Sequence, residues 1–561
     1  MKPIGTCLAV LLIALVACVG GSSDGGDDGH DRVFAEAVAP EIEAALAEGG
    51  SPGTAETPLE DAVARLYAGR AHSPVWIGRS GPTPRGRTLT EVLRGASRGG
   101  LDPAAYGSRD LLPRMASSAP VEGEGAEAAA ARLDVALTRA LARLARDLGS
   151  GRVAPEAAGL HWQTRRPEVD VDAVLATAAA GDGPAAALDA VRPPHDQVAR
   201  LEEALSRYRQ VAADGGWPRI AEGDPLQAGE EDPHRVVALR QRLAAEGYAA
   251  DGEAGGAPSP VYDDGLAEAV REYQRRRGLA DDGVVGGRTL EELNVPAAHR
   301  ARQIEANLVR WRWVPADLGS RYVLVNVPRF ELEVHDGDQE VRRMKVVVGE
   351  ELNATPMFSD RMQYLVFNPY WNVPASIVAE EILPALEADP DHLADHQMEV
   401  IQGWEQDATV LGPHALAEAR QAADEGSGFR IRQRPGAENP LGRVKFIFPN
   451  EHAIYLHDTP ADHLFDKTVR TLSHGCIRVE EPVALASWVL GEPEAAIRQR
   501  IAGDEDQWVD VPREIPVHIL YFTVAVDDDG RVLFFDDFYG IDERVLQAVD
   551  AAGPEPPSPR G

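Results

Sequence analysis

The residues most able to do chemistry lie close together near the end of the chain: His457, fifteen intervening residues, then Ser473-His474-Gly475-Cys476-Ile477-Arg478. Cys476 is the only cysteine after position 18, and a thiol near histidine and arginine is a nucleophile candidate. A free cysteine has a pKa of about 8.5, and a neighbouring imidazolium or guanidinium lowers it, which raises the thiolate fraction at neutral pH. Thiolates attack carbonyl carbon readily. Gly475 permits close backbone approach, and the amides around Gly475 and Cys476 can aim at a developing oxyanion, worth about 3 to 4 kcal/mol per donor in hydrolases. Two other readings compete. One is a buried structural cysteine among core histidines. The other is a zinc site, because His452, His457, His463, His474 and Cys476 crowd one 25-residue stretch. No His-Glu-x-x-His helix or paired Cys-x-x-Cys accompanies them, so the sequence asks for no metal and no other cofactor.

The spacing of His457 and Ser473-His474-Gly475-Cys476 resembles the signature of the L,D-transpeptidase family, with its YkuD-type catalytic domain. Asn368-Pro369-Tyr370-Trp371-Asn372-Val373-Pro374 and Tyr455-Leu456-His457-Asp458 are similar to the long periplasmic members, which also carry a helical scaffold and a peptidoglycan-binding module. The resemblance implies Cys476 as nucleophile and His457 as general base, its imidazole oriented by the backbone carbonyl of Asp458. It implies Ser473, His474 and Gly475 as the loop shaping the oxyanion site, and Arg478 as the arginine bracing that loop. Tyr455, Trp371 and Asn372 are candidate substrate-side residues, with core packing the alternative for the aromatic pair. The implied reaction is acyl transfer through a thioester, joining two peptidoglycan stem peptides by a 3-3 cross-link. Water as acceptor makes the same site a carboxypeptidase, and a lipoprotein acceptor makes it an attachment enzyme. A non-catalytic wall-binding envelope lipoprotein is the reading that dispenses with the thiol.

These residues need a scaffold, and the hydrophobic period supplies one. Alternating strand-like runs begin near Tyr322 and include Val341 to Val348, Tyr364 to Phe367, Val444 to Phe448, Ile454 to His457 and Val517 to Val526. They predict a mostly β catalytic domain over 319–526, interrupted by a helical, polar lid insertion over 375–434. Upstream, 34–218 reads as a helical scaffold, clearest where Leu133, Leu137, Leu141, Leu144 and Leu148 recur at helical spacing before Gly149. Over 232–295 three short helices are expected, stopping at Gly247 and Gly278, with Thr289 and Glu292 as the capping box of the third. Tyr273-Gln274, Gly278-Leu279, Asp282-Gly283, Gly286 and Thr289 resemble the type 1 peptidoglycan-binding domain, a three-helix cell-wall module. A linking helix over 296–318 joins this module to the strands. A C-terminal hairpin extension over 527–552 turns at Asp527 to Gly530, and a tail over 553–561 is expected to be disordered. The fold class is therefore multidomain α+β.

Charge and the N terminus set the surroundings. With 90 acidic against 56 basic side chains the formal net charge is -34, which repels phosphate backbones and argues against nucleic acid as a partner. The apolar run from Ile4 to Val19 reads as a secretory signal over 1–17. Leu15-Val16-Ala17-Cys18 resembles a lipoprotein lipobox, which implies lipidation of Cys18, a membrane anchor through that lipid, and a flexible tether over 18–33. An exported chain that keeps one unpaired thiol exposes it to oxidation, a liability easier to understand if the thiol works. The expected partners are peptidoglycan stem peptides and glycan strands, and the expected location is periplasmic, at the outer membrane. Oligomeric state is not legible.

Overall fold

The structure is a computed structural model; it describes residues 27–48, 57–116, 120–164, 166–248, 259–403, 408–424, 426–503 and 505–553. The signal, Cys18 and the glycine-rich run after it lie outside these residues. The tether expected over 18–33 ends earlier than its polarity suggests, because the helix Asp27–Ala47 takes up its last seven positions.

The chain forms two compact units, and the helical region read as one scaffold divides between them. The first unit holds 1–93, 107–143 and 171–187. Its core is pinned by Asp134, fully buried, which accepts backbone N–H bonds from Val75, Trp76 and Ile77 and the hydroxyl of Tyr67 at 2.6 Å. Four donors satisfy a carboxylate that burial would otherwise penalise.

The second unit holds 94–106, 144–170 and 188–561. The helix Ala126–Ser150 does not stop at Gly149. There a Cβ would meet Val169 at 2.4 Å, so this glycine serves close packing, and Gly151, at φ +80, follows the helix end.

The wall-module region forms three helices, Arg235–Ala245, Asp264–Arg276 and Gly287–Leu293. They close on Leu239, Leu243, Leu266, Val270 and Tyr273. Gln274, 1% exposed, explains the motif read there: its amide donates to Asp282, Val284 and Thr289, and its oxygen accepts the Gly283 N–H. Thr289 therefore sits inside the third helix as a core acceptor, and Gly286 holds the N-cap position expected of a capping box.

The strand-rich region is a curved ten-stranded sheet: β1 Trp162–Gln163, β2 Arg321–Asn326, β3 Glu331–Asp336, β4 Gln339–Gly349, β5 Met357–Phe367, β6 Val444–Ile447, β7 Leu456–His457, β8 Ile477–Val479 and β9 Gln507–Leu520, with the short strand Thr471–Ser473 pairing β4 off the main order. Their order is β6-β7-β8-β4-β3-β2-β9-β5-β1, and β6 also pairs with β5, closing the sheet on itself. β1 comes from the helical region and extends β5 in parallel. The insertion between β5 and β6 carries more strand than its polarity suggested. Short helices surround a four-stranded sheet of Thr409–Gly412, Met398–Gln402, Phe429–Gln433 and Trp371–Asn372, with its own core around Val378, Leu393, Val400 and Ile431. The C-terminal extension forms the expected hairpin, Val524–Val526 with Val532–Phe534, and then the helix Ile541–Ala551. Arg531 and Arg288 tie it to the wall module through Glu272 and Asp536.

Candidate active site

Strand alternation assembles the site. β7 and β8 run parallel with Leu456 opposite Ile477 and His457 opposite Arg478. Leu456 and Ile477 are fully buried in the main core, so their neighbours point to the other face of the sheet. That face receives Tyr455, His457, Cys476 and Arg478 together. Antiparallel β6 adds Lys445, opposite His457, and its Nζ lies 3.6 Å over the Tyr455 ring.

His457 is 4% exposed, and its Nδ1 lies 2.5 Å from the Asp458 backbone carbonyl. That carbonyl can only accept, so Nδ1 carries the proton and Nε2 keeps its lone pair. Burial first, then the Arg478 and Lys445 charges, push the His457 pKa down to about 3. The Asp458 carboxylate works elsewhere, accepting the Arg443 and Thr459 amides at 2.6 and 2.7 Å.

The expectation that nearby cations make Cys476 a resting thiolate does not hold. Burial pushes the thiol up, outweighing the Tyr455 amide and hydroxyl and the Lys445 and Arg478 charges, which pull it down. Burial thus holds both groups toward their neutral forms, a thiol at Cys476 and an imidazole at His457. Sγ lies 3.9 Å from the Ala453 carbonyl. Arg478 faces His457 and Cys476 electrostatically, and among the described residues its buried Nε has no hydrogen-bond partner.

The loop from Ser473 to Cys476 is locked by its own residues. The Ser473 hydroxyl donates to the Cys476 carbonyl at 2.6 Å and accepts the Gly475 N–H at 3.2 Å. The Gly475 amide is therefore occupied and not free for an oxyanion. Among the described residues, the His474 and Cys476 amides donate to no protein acceptor. Gly475 sits at φ +106, a conformation that favours glycine.

Residues not read from sequence support this loop from behind. The fully buried Thr355 donates its hydroxyl to the Gly475 carbonyl at 2.8 Å and accepts the Gly349 N–H at 2.9 Å. Tyr539, in the C-terminal extension, donates its hydroxyl to the Gly349 carbonyl at 2.6 Å and accepts the Thr355 N–H at 3.1 Å. From the insertion, Glu381 pairs with His474 at 3.1 Å. It stands on a π-helical turn, Val378–Ile382, a distortion frequent at functional sites. Lys445 had a legible signal, a cation inside an apolar strand; Thr355, Tyr539 and Glu381 had none.

Two expected residues serve the insertion. Trp371 packs on its core, and the Asn372 carboxamide accepts from Arg430; no described contact joins either to Cys476. The histidines of the zinc reading disperse as well: His452 bonds Gln163 at 2.7 Å, and His474 bonds Glu381. Among the described residues the group with ligand-like spacing is Glu333, His335 and Glu340, where Arg343 already pairs both carboxylates.

Three family models match the chain: a scaffold domain over 61–205, a peptidoglycan binding domain over 233–293 and an L,D-transpeptidase catalytic domain over 320–519. A Haemophilus influenzae protein named as an L,D-transpeptidase is 30% identical over 226 residues, covering 40% of this chain and 45% of that protein. The chain thus spans under half the length of that relative. Among solved structures, an L,D-transpeptidase of Xylanimonas cellulosilytica is 16% identical with a TM-score of 0.18, covering 54% of this chain and 99% of that one. One from Mycobacterium smegmatis is 11% identical with a TM-score of 0.18, covering 36% and 58%. The chain thus joins regions that match a scaffold domain and a peptidoglycan-binding domain to a region, 320–519, that matches the YkuD L,D-transpeptidase catalytic domain.

Proposed function

We propose that this protein is a peptidoglycan L,D-transpeptidase that makes 3-3 cross-links through a Cys476 thioester. The observation that carries the reading is the β7–β8 register, which sets Cys476, His457, Tyr455 and Arg478 on one face, with His457 Nδ1 held by the Asp458 carbonyl. With Nε2 unprotonated, His457 takes the thiol proton as sulfur attacks the carbonyl of the third stem residue. The His474 and Cys476 amides, still unpaired, receive the oxyanion. His457 returns the proton to the leaving amine, D-alanine departs, and the acyl group remains on sulfur. An amine of a second stem then gives its proton to His457 and attacks the thioester, regenerating the thiol. Arg478 and Lys445 stabilise negative charge as it develops on sulfur. The insertion, tied to the loop by Glu381 and His474, limits water as a competing acceptor.

The family implies an exported or periplasmic protein, and no described helix is long and apolar enough to cross a membrane. Lipidation at Cys18 would anchor the enzyme beside its substrate. The test is incubation with disaccharide-tetrapeptides and detection of dimer, tripeptide and free D-alanine by mass spectrometry. Wild type should form dimer and release D-alanine, and Cys476→Ala should do neither. Dimer formation by Cys476→Ala would overturn the reading.

A further inference from the structure

The face that carries the catalytic groups does not stop at Lys445. In register across the sheet, Arg478 faces His457, His457 faces Lys445, Lys445 faces Val366 and Val366 faces Trp508. Side chains at paired positions share a face, so this is one continuous row from β8 to β9. Trp508 ends it with 61% of its surface exposed. Its neighbour Val509 packs on the main core, so ordinary strand alternation, not a failed core position, sends the indole outward. Tyr364, opposite Asp510 on the same face, packs against Trp508 edge to face at 6.1 Å. The row therefore runs from the reacting groups to an open aromatic platform with a carboxylate, Asp510, at its edge.

We infer that Trp508 and Tyr364 form a subsite for the sugar ring that bears the donor stem, a conclusion that rests on the transpeptidase reading above. Three ladder spacings of about 4.8 Å separate His457 from Trp508, or about 14 Å along the row. A stem held by its third residue at Cys476 has three residues back to its sugar end. These span about 11 Å when extended, and the group joining peptide to sugar covers the remainder. The C–H face of a sugar ring lies on an exposed indole, burying apolar surface on both sides. Asp510 accepts a hydroxyl or amide N–H from the ring edge. The occupant is a carbohydrate carrying a peptide; a free peptide is too short to reach the indole.

The test compares a disaccharide-tetrapeptide with the same tetrapeptide lacking sugars, on wild type, Trp508→Ala and Trp508→Phe. In Trp508→Ala the ratio of kcat/KM for the sugar-bearing to the sugar-free donor should fall about three- to tenfold, and Trp508→Phe should recover most of it. An equal loss on both donors, or none on either, overturns the subsite. A second measurement separates this from failure of the underlying activity. The indole N–H resonance of Trp508 in the Cys476→Ala protein should shift on adding the disaccharide-tetrapeptide and stay fixed with the sugar-free peptide. The same response to both refutes the subsite whether or not wild type turns over, whereas absent turnover with a sugar-selective shift strikes only the transpeptidase reading.

Discussion

Holding His457 neutral at the floor of the site makes the protein sensitive to acid in a calculable way. Its folded pKa is about 3, against about 6.5 in an unfolded chain. Between those values the unfolded state binds a proton that the folded state refuses, so stability falls as pH drops through 6.5 and the loss levels off below 3. The penalty is about 2 kcal/mol at pH 5 and about 3 kcal/mol at pH 4. His457→Asn isolates it, since asparagine does not titrate and its amide can still donate to the Asp458 carbonyl. In urea unfolding of the full chain, the stability advantage of wild type over His457→Asn should shrink by about 2 kcal/mol between pH 7.5 and pH 5. The same neutral pair governs reactivity: alkylation of Cys476 by iodoacetamide should show no plateau near neutrality and still rise with pH beyond 9, because burial holds the thiol up. A His457 ring that titrates near 6.5 by NMR, or equal acid slopes in the two proteins, would refute the reasoning.

Tyr539→Phe removes a hydroxyl that joins the buried Gly349 carbonyl to the Thr355 amide. Each stranded group costs about 1 to 3 kcal/mol, and we expect kcat to fall roughly tenfold with a smaller change in KM; unchanged kcat would show that the loop does not need this support. Glu381→Gln breaks the half-exposed pair with His474, worth at most about 1 kcal/mol. We expect the ratio of tripeptide to dimer products to rise two- to threefold, within the roughly fivefold that such an energy allows; a constant ratio would remove the insertion from acceptor choice.

What was legible in the sequence was whatever lies within one local pattern. Leu456 and Ile477 alternate with their neighbours as strands do, and the spacing of His457 and Cys476 pointed to residues that the strand register sets on one face. The Asp458 carbonyl, adjacent in sequence to the imidazole, was reachable from the resemblance. What sequence hid depends on balance or on distance along the chain. The cations beside Cys476 suggested a thiolate, yet desolvation outweighs them, and burial depth is not written in spacing. Gly475 looked like an oxyanion donor until Ser473 claimed its amide. Thr355 and Tyr539 stand 120 and 184 residues from the groups they hold, beyond any local motif. Trp371 and Asn372 belonged to a recognisable string, but that string builds the root of the insertion.

The hydroxyl of Tyr539 gives the molecule a built-in order of assembly. Every other group named at the site precedes it in chain order, so synthesis from the amino end makes this brace last. Until residue 539 is added, the thiol and the imidazole are in place while Gly349 and Thr355 still lack their clasp. The loop that carries Cys476 is therefore buttressed by the most distant and latest-made part of the chain, and a truncation before Tyr539 leaves every other site residue present but unclasped.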